Sequence, residues 1–317
     1  MELKSIVKKI IRYASDSNYR ILVHAGNGIY NYMSDDKFLV KCFKARLGYP
    51  LNLDEPKTFN EKMQWLKLND RNNKYVMMVD KYLVKDYVAQ KIGDEYIIPT
   101  IGIWDEPSQI DFEYLPKQFV LKCNHNSGTV YICKDKNKLN KKEVLKTLKS
   151  GMRKNYYLTG REWPYRNVKR KIIAEKFLVD ESGTELKDYK IFCFNGKPLY
   201  VQVDFGRFTK HERNIYSTEW RYMGFSSMYP TNADRVIARP VCLEKMLEIA
   251  SVLSKDIPFL RVDLYVIGDK IYFGEITFYH GSGYERFVPE EWDRKLGDLI
   301  DINYIKGKVN GEKNCDL

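Results

Sequence analysis

With 317 residues, the chain is long enough to bury a large core, divided among two or three subdomains. Hydrophobic residues make up 44% and charged residues 30%. No run reaches the roughly 18 apolar residues that would indicate a membrane-spanning helix, and the charged N-terminus lacks the apolar region of a signal peptide. The six cysteines form no CxxC pair, which argues against a zinc site or a disulfide framework and favours a reducing cytoplasm.

The net charge of +11 is concentrated in one segment, Lys134–Lys176, where 15 Lys and Arg residues face 4 Asp and Glu residues. Two interpretations of this basic segment stay open. It is either a solvated helix face or a surface that attracts an anionic partner such as a nucleotide, an acidic glycan or a lipid surface. Nucleic acid is not expected, because no aromatic-interleaved binding motif accompanies the charges.

The N-terminal part of the chain is predicted to be helical. Ile6, Ile10 and Ile11 fall on one side of the first helix and basic residues on the other. Such a helix either lies on an anionic membrane surface or packs against the domain body, and packing is the favoured expectation. A second helix is predicted from about Asp36 to just before Gly48.

Further helices and strands follow. Thr58 and Glu61 form a capping-box pattern that opens a helix at Phe59. Another helix is predicted from about Asn73 to Lys91, and a strand over Ile97–Trp104. The next predicted elements are the strand Phe119–Cys123, which carries Lys122, a polar loop Asn124–Thr129 and the strand Val130–Cys133. By itself this loop predicts an ordinary hairpin, although a polar glycine loop between strands can also cover a phosphate.

In the second half, a strand is predicted over Lys171–Leu178, followed by a polar turn at Asp180–Gly183. Asn195-Gly196 then joins two apolar runs and predicts a β-hairpin with a two-residue turn. Helices are predicted over Val241–Leu253 and, more weakly, over Trp292–Ile302.

The stretch Leu260–Gly283 predicts a second hairpin, with its turn at Gly268-Asp269. Since residues two apart on a strand share a face, Arg261 and Asp263 point one way, as do Glu275 and Thr277. Two carboxylates on paired strands beside an arginine suit Mg²⁺ bound to a phosphate. The alternative is a half-exposed hairpin with an Arg/Asp pair.

Five short motifs occur in a fixed order: DK at Asp80-Lys81, LK at Leu121-Lys122, EKFL at Glu175–Leu178, RVD at Arg261–Asp263 and GEIT at Gly274–Thr277. This set of motifs resembles the ATP-grasp superfamily. The sequence around the motifs resembles the TupA-like branch of that superfamily, which is found with polysaccharide biosynthesis. The resemblance implies an α+β, ATP-grasp fold. Two α+β subdomains with antiparallel sheets would grip ATP, and a helical N-terminal region would precede them. Residues 1–70 would form the N-terminal region, residues 71–180 the first and lid subdomains, and residues 181–317 the C-terminal catalytic subdomain.

The resemblance also implies roles for individual residues. Residues expected to bind ATP are Lys81, Lys122, His125, Ser127, Gly128, Glu175, Phe177, Leu178 and Asp188. Asp263, Glu275 and Thr277 are expected to bind Mg²⁺, with Thr277 standing where the family often has Asn. Arg261, Asp263, Glu275 and Lys190 are the expected catalytic residues. His125 and His280 lie in loops near the expected site, as acid/base groups or as hydrogen-bonding loop residues.

The activity implied is that of an enzyme, an ATP-dependent carboxylate–amine ligase that forms an amide through an acyl phosphate. Its expected partners are ATP, an acidic sugar or glycan carboxylate and an amine, in surface polysaccharide biosynthesis. The expected location is the cytoplasm, with peripheral association with membrane-bound machinery at the inner face of the membrane. A glycan kinase and a non-catalytic nucleotide-binding scaffold protein are the alternatives.

Overall fold

The computed structural model describes residues 2–179, 186–206, 210–303 and 305. The predicted turn at Asp180–Gly183 and Cys315 lie outside the described residues. The fold is α+β, as predicted, with separate helical and antiparallel-sheet regions. The helices are α1 (Glu2–Ser15), α2 (Ser17–Gly26), α3 (Asp35–Leu47), α4 (Phe59–Asn69), α5 (Lys74–Val79), α6 (Leu83–Ile92), α7 (Lys141–Arg153), α8 (Tyr156–Gly160), α9 (Leu243–Ser254) and α10 (Glu291–Asp298).

The strands are β1 (Thr100–Trp104), β2 (Phe119–Cys123), β3 (Val130–Cys133), β4 (Ile172–Lys176), β5 (Asp188–Phe194), β6 (Lys197–Phe205), β7 (Glu212–Ser217), β8 (Ser226–Ser227), β9 (Phe259–Ile267), β10 (Lys270–Thr277) and β11 (Phe287–Val288). The chain divides into two compact units. Unit 1 comprises Met1–Arg71, Tyr157–Trp163 and His280–Leu317, and unit 2 comprises Asn72–Tyr156 and Pro164–Tyr279.

Unit 1 is built around helices whose ends follow the sequence signals. The capping box predicted for α4 is present, because the Thr58 hydroxyl accepts from the Glu61 N–H while the Glu61 carboxylate accepts from the Thr58 N–H. The end of α3 is also confirmed, since Gly48 adopts φ 88°, a left-handed conformation that favours glycine. Phe38, Leu39 and Cys42 on the inner face of α3 form a buried cluster.

The N-terminal helical region differs from the favoured expectation. Two helices are present, because the Asp16 side chain accepts from the Tyr19 N–H and opens α2. The apolar residues of α1 do not pack into a core: Ile10 and Ile11 are 63% and 60% exposed.

Unit 2 contains, within the described residues, two antiparallel sheets, with strand orders β1-β4-β2-β3 and β10-β9-β5-β6-β7. Both predicted hairpins are confirmed. Asn195 and Gly196 join β5 to β6 with φ 50° and 79°, as a primed two-residue turn requires. Gly268 and Asp269 join β9 to β10.

Two predicted elements of unit 2 are corrected. The single helix expected over Asn73–Lys91 is two helices, because the Asp80 carboxylate accepts from the N–H groups of Tyr82 and Leu83 and starts α6 afresh. The strand expected from Ile97 begins only at Thr100, directly after Pro99, which has no N–H to donate to a sheet.

The five cysteines that the structure describes are free thiols. Cys42, Cys123, Cys133 and Cys193 are buried and Cys242 is half-buried. Burial raises the pKa of the Cys123 thiol to about 11 and that of Cys193 to about 12. Among the described helices, none combines the length and the apolar character needed to cross a bilayer.

Candidate active site

The hairpin β9–β10 brings the two predicted carboxylates face to face. Glu275 is the cross-strand partner of Asp263, and Thr277 is the partner of Arg261. The register shifts by one residue between Phe273 and Glu275, so Gly274 is an extra, bulged residue. A side chain at Gly274 would lie 2.9 Å from the carbonyl oxygen of Asp263, which explains why glycine occupies the bulge. The bulge therefore sets Glu275 opposite Asp263.

A network of buried charges surrounds Asp263. The Arg261 guanidinium donates to both of its oxygens, from Nε to Oδ1 at 2.7 Å and from Nη2 to Oδ2 at 2.7 Å, and Nη2 also donates to Glu275 Oε1 at 3.1 Å. From the neighbouring strand β5, Lys190 Nζ donates to Asp263 Oδ2 at 2.9 Å and to Asp188. The structure thus brings together the four predicted catalytic residues and Asp188.

The pKa values in this network follow its charge pairs. Burial by itself would lower the pKa of Lys190, but Asp188 and Asp263 outweigh it and hold that pKa above its ordinary value. Partial loss of hydration would raise the pKa of Glu275, but Lys81, Arg261 and Lys190 outweigh it and hold that pKa below its ordinary value. The lysine is therefore held charged as an ammonium and the glutamate as a carboxylate.

Next to this network lies a cavity of about 290 Å³, close to the lower end of the range of roughly 300–1,000 Å³ typical of small-molecule sites. Both sheets of unit 2 contribute to its walls. Its lining residues are Lys81, Ile98, Val120, Lys122, Val130, Ile132, Lys134, Glu175, Lys176, Phe177, Leu178, Val179, Leu186, Tyr265, Gly274 and Glu275. The wall combines apolar side chains with lysines and glutamates, which suits a ligand that has both an apolar and an anionic portion.

Glu175, in the cavity wall, forms ion pairs with two lysines. Lys122 Nζ lies 2.6 Å from Glu175 Oε2, and Lys85 Nζ lies 2.7 Å from Glu175 Oε1. Burial would raise the pKa of Glu175, but the two lysines outweigh it and the pKa lies below its ordinary value. Lys81, also in the cavity wall, has its Nζ 3.9 Å from Glu275 Oε2 and donates to the Asn126 carbonyl at 2.9 Å. Burial lowers the pKa of Lys81.

The predicted phosphate-covering loop is held down by unit 2 itself. Asn124 donates from its side chain to the Asp80 carboxylate at 2.9 Å, and the Lys81 N–H donates to the Asn124 carbonyl at 3.2 Å. His125 is buried, 2% exposed, and its Nε2 lies 3.3 Å from the Asn126 side-chain nitrogen. Burial lowers the pKa of His125 to about 4. The ring therefore serves the packing of the loop in this structure.

The predicted ATP-binding residues divide into two groups. Lys81, Lys122, Glu175, Phe177 and Leu178 line the cavity, together with the predicted metal ligand Glu275. The structure does not place the remaining predicted residues of unit 2 in the cavity wall: they are His125, Ser127, Gly128, Asp188, Lys190, Arg261, Asp263 and Thr277. His280 lies buried in unit 1, with its Nε2 3.2 Å from Glu285 Oε2.

Two residues of the site were not predicted from the sequence: Tyr265, which lines the cavity, and Lys85, which pairs with the lining residue Glu175. Lys85 also donates to the Ile98 carbonyl at 2.7 Å and to the Thr100 hydroxyl at 2.8 Å, so it joins α6 to the start of β1. Its position four residues after Lys81 is the one signal that points to it. Tyr265 lies two residues after Asp263 on β9, and the alternation of the strand points to it.

The hairpin offers a divalent cation three oxygen-donating side chains, those of Asp263, Glu275 and Thr277. The side chain of Glu275 is 39% exposed and borders the cavity, so its carboxylate is accessible to an ion there. Asp263 is 2% exposed and both of its oxygens already accept from cations, so it fits an ion only by sharing those oxygens with Arg261 and Lys190. Two carboxylates and the Thr277 hydroxyl are hard oxygen donors of the kind that Mg²⁺ prefers. Among the described residues, no group of three or more His, Cys, Asp or Glu side chains is arranged around one ion.

Comparison with known proteins gave one family and a set of distant structures. The chain resembles D-alanine–D-alanine ligase from Helicobacter pylori, with 17% identity, 76% of this chain and 69% of that chain covered and a TM-score of 0.40. D-alanine–D-alanine ligase from Bacillus anthracis complexed with ATP is 14% identical, with 83% of this chain and 82% of that chain covered and a TM-score of 0.41. The ATP-grasp ligase PsnB complexed with a minimal precursor is 6% identical, with 79% of this chain and 66% of that chain covered and a TM-score of 0.39. These identities and TM-scores are too low to assign an activity to this chain.

No curated protein sequence gave a match. The family model described as TupA-like ATPgrasp matches residues 61–301, which is most of the chain and includes the whole cavity wall and the β9–β10 hairpin. The chain therefore belongs to the TupA-like ATP-grasp family.

Proposed function

We propose that this protein is an ATP-dependent carboxylate–amine ligase that forms an amide bond through an acyl phosphate. The observation that supports this most directly is the position of Glu275. Its carboxylate borders a cavity that also contains Lys81 and Lys122, and behind it stand Asp263, Arg261 and Lys190. An arrangement of cations and metal-binding carboxylates around one cavity is what phosphoryl transfer needs.

ATP would bind with its base in the apolar part of the cavity. Val120, Ile132 and Leu178 offer apolar side chains there, and Tyr265 offers a ring. The chain leaves β4 at Phe177 and Leu178, where it forms no further strand bonds, so its backbone groups are available to hydrogen-bond the adenine edge. Asp188, at the start of β5, is the proposed partner of the ribose.

The phosphates would lie toward the lysines. Lys122 is held by Glu175, and Lys81 extends toward Glu275, so the two ammonium groups have fixed positions before the nucleotide arrives. Such pre-positioned charge stabilises the transferring phosphoryl group without reorganisation at the moment of reaction. We propose that the backbone of the loop that contains His125, Ser127 and Gly128 forms the cover over the phosphates.

Asp263, Glu275 and Thr277 are the proposed Mg²⁺ ligands. Bound Mg²⁺ would neutralise charge on the phosphate oxygens. Arg261 and Lys190 hold Asp263 in place and keep positive charge beside the phosphoryl group. Because a hydroxyl is a weaker ligand than an amide oxygen, Thr277→Asn should keep or raise activity.

The reaction would proceed in two steps. An oxygen of the substrate carboxylate attacks the γ-phosphorus of ATP, the bond from that phosphorus to the β–γ bridging oxygen breaks, and ADP leaves. The amine nitrogen then attacks the acyl carbon, and phosphate leaves with the electron pair of the C–O bond. The nitrogen loses a proton to solvent, and the products are an amide, ADP and phosphate.

The acceptor is proposed to be an acidic sugar, such as a uronic acid of a surface polysaccharide made in the cytoplasm. The basic segment Lys134–Lys176 supports an anionic acceptor, because exposed positive charge raises the local concentration of anions. Lys142, Lys146 and Lys149 on α7 are exposed members of that segment.

The test is to trap the acyl phosphate. The protein is incubated with ATP, Mg²⁺, a panel of uronic acids and hydroxylamine, and the products are examined for hydroxamate. A mixed anhydride reacts with hydroxylamine, whereas a phosphate ester of a sugar hydroxyl does not. Hydroxamate that depends on ATP supports the ligase. A stable phosphosugar formed without amine, and no hydroxamate, would establish a glycan kinase instead, and ATP binding without any turnover would indicate a scaffold protein.

A further inference from the structure

Helix α1 divides cleanly into two faces. Ile6, Val7, Ile10 and Tyr13 fall on one side of a helix that turns about 100° per residue, and Lys8, Lys9 and Arg12 fall on the other. The structure leaves the apolar side uncovered: Ile6 is 52%, Val7 48%, Ile10 63% and Ile11 60% exposed. Exposed aliphatic side chains grouped on one face mark an interaction surface, whereas single scattered ones do not.

The uncovered face is not simply a frayed end, because the last turn of α1 is fixed to α2. Arg12 Nε lies 3.3 Å from the Asp16 carboxylate, and the Tyr13 hydroxyl lies 2.7 Å from His24 Nε2. Arg20 also donates to the carbonyl oxygens of Tyr13 and Ala14 at 2.9 and 3.1 Å. These contacts hold the helix at one end and leave the isoleucines clear of the unit.

The charges decide what covers this face. A second copy of α1 packed on the apolar face would offer almost no negative charge to Lys8 and Lys9, because the helix sequence contains a single acidic residue, Glu2. A bilayer with anionic headgroups offers apolar chains to the isoleucines and negative charge to the flanking cations. A two-faced helix of low overall hydrophobicity with lysines on its polar side is typical of helices that lie in a membrane interface.

We propose that α1 is a membrane-surface anchor that lies in the interface of an anionic phospholipid bilayer, with Ile6, Val7, Ile10 and Ile11 inserted. Lys8 and Lys9 contact the headgroup phosphates. The anchor belongs to unit 1, whereas the cavity lies in unit 2, so this inference does not depend on the proposed function.

The test uses the full-length protein and vesicles, either of phosphatidylcholine alone or of phosphatidylcholine mixed with phosphatidylglycerol. Wild type is expected to sediment with the mixed vesicles and much less with phosphatidylcholine alone. Ile6→Gln/Ile10→Gln should weaken binding to the mixed vesicles by about tenfold or more, because two inserted aliphatic side chains are lost. Lys8→Gln/Lys9→Gln should weaken it by about tenfold or more as well, since each cation near an anionic surface contributes.

A matched control separates α1 from overall charge. Lys142→Gln/Lys146→Gln removes two exposed helical lysines from α7 and should leave vesicle binding near the wild-type value. All variants should unfold at the wild-type temperature, because the replaced side chains are exposed and glutamine favours helix.

Three results would overturn the proposal: no binding to the mixed vesicles, equal losses in the α1 and α7 lysine variants, or unchanged binding of the isoleucine variant. So would a concentration-dependent dimer that forms without vesicle binding and is lost in the isoleucine variant, because α1 would then cover a second copy of the chain.

Discussion

Glu275 stands directly opposite Asp263 across the strand pair β9–β10, and the bulge at Gly274 produces that pairing. Without the extra residue, Gly274 would oppose Asp263 and Glu275 would oppose Val262, on the other face of the sheet. The two carboxylates share a face, and share Arg261, only because one strand is a residue longer than the other at this point.

Replacing Glu275 with glutamine should lower the rate of ADP formation by about a hundredfold or more. The amide keeps the shape of the side chain but removes the negative charge proposed to bind the metal. ADP release is measured with ATP and Mg²⁺, alongside thermal unfolding. Glu248→Gln, which changes an exposed glutamate of α9, is the control and should turn over normally. Normal turnover of a folded Glu275→Gln variant would contradict the metal role.

Gly274→Ala should lower both stability and activity. The added methyl would lie 2.9 Å from the Asp263 carbonyl oxygen and 3.0 Å from the Tyr265 ring, so the hairpin has to shift. A loss of about 1–3 kcal/mol in the free energy of unfolding is expected from urea titration. Gly26→Ala, at the end of α2 with nothing within 4 Å, should change it by less than about 1 kcal/mol. Equal effects of the two changes would show that the bulge tolerates a side chain.

The two lysines on Glu175 should have separable effects. Lys85→Met leaves a buried carboxylate with one cation fewer and should cost on the order of 3 kcal/mol of folding free energy, with little change in ATP affinity. Lys122 lines the cavity, so Lys122→Met should weaken ATP binding by about tenfold or more. Urea unfolding and nucleotide titration measure the two quantities. The assignment fails if Lys85→Met loses ATP affinity to the same extent.

His125 should make the protein sensitive to mild acid. Burial lowers its pKa in the folded protein from 6.5 to about 4. Between these two pH values the unfolded chain binds more protons than the folded chain, so stability falls as the pH falls. In His125→Gln, the loss of unfolding free energy between pH 7 and pH 4 should be smaller than in wild type, by on the order of 2 kcal/mol. Parallel wild-type and variant curves would mean that the pKa of His125 is the same in the folded and in the unfolded chain.

The β9–β10 hairpin could be predicted from the sequence because alternation and a Gly-Asp turn are local signals. The α4 capping box could be predicted for the same reason. The bulge at Gly274 could not, since strand register depends on the partner strand and on packing. The break between α5 and α6 was hidden because apolar residues continue on both sides of Asp80, and only the folded chain shows its carboxylate capping α6.

The directions of the side chains in the loop after β2 could not be predicted from the sequence either. The sequence left two roles open for His125, an acid/base group at the site or a hydrogen-bonding loop residue, and in the structure the ring is buried. Lys85 and Glu175 lie far apart in sequence and no local pattern links them, so their ion pair appears only when α6 and β4 are packed together.

The buried thiols make unfolding of unit 2 measurable without an engineered cysteine. Cys123 and Cys133 belong to the sheet β1-β4-β2-β3, and Cys193 belongs to the sheet β10-β9-β5-β6-β7. Each is protected from solvent in the folded chain, and the raised pKa values of Cys123 and Cys193 keep those two thiols unreactive as well. A thiol reagent can therefore modify them only through opening of the sheet that contains them. Equal modification rates at Cys123 and Cys193 would show that the two sheets open in one cooperative event, and unequal rates would identify the sheet that opens first.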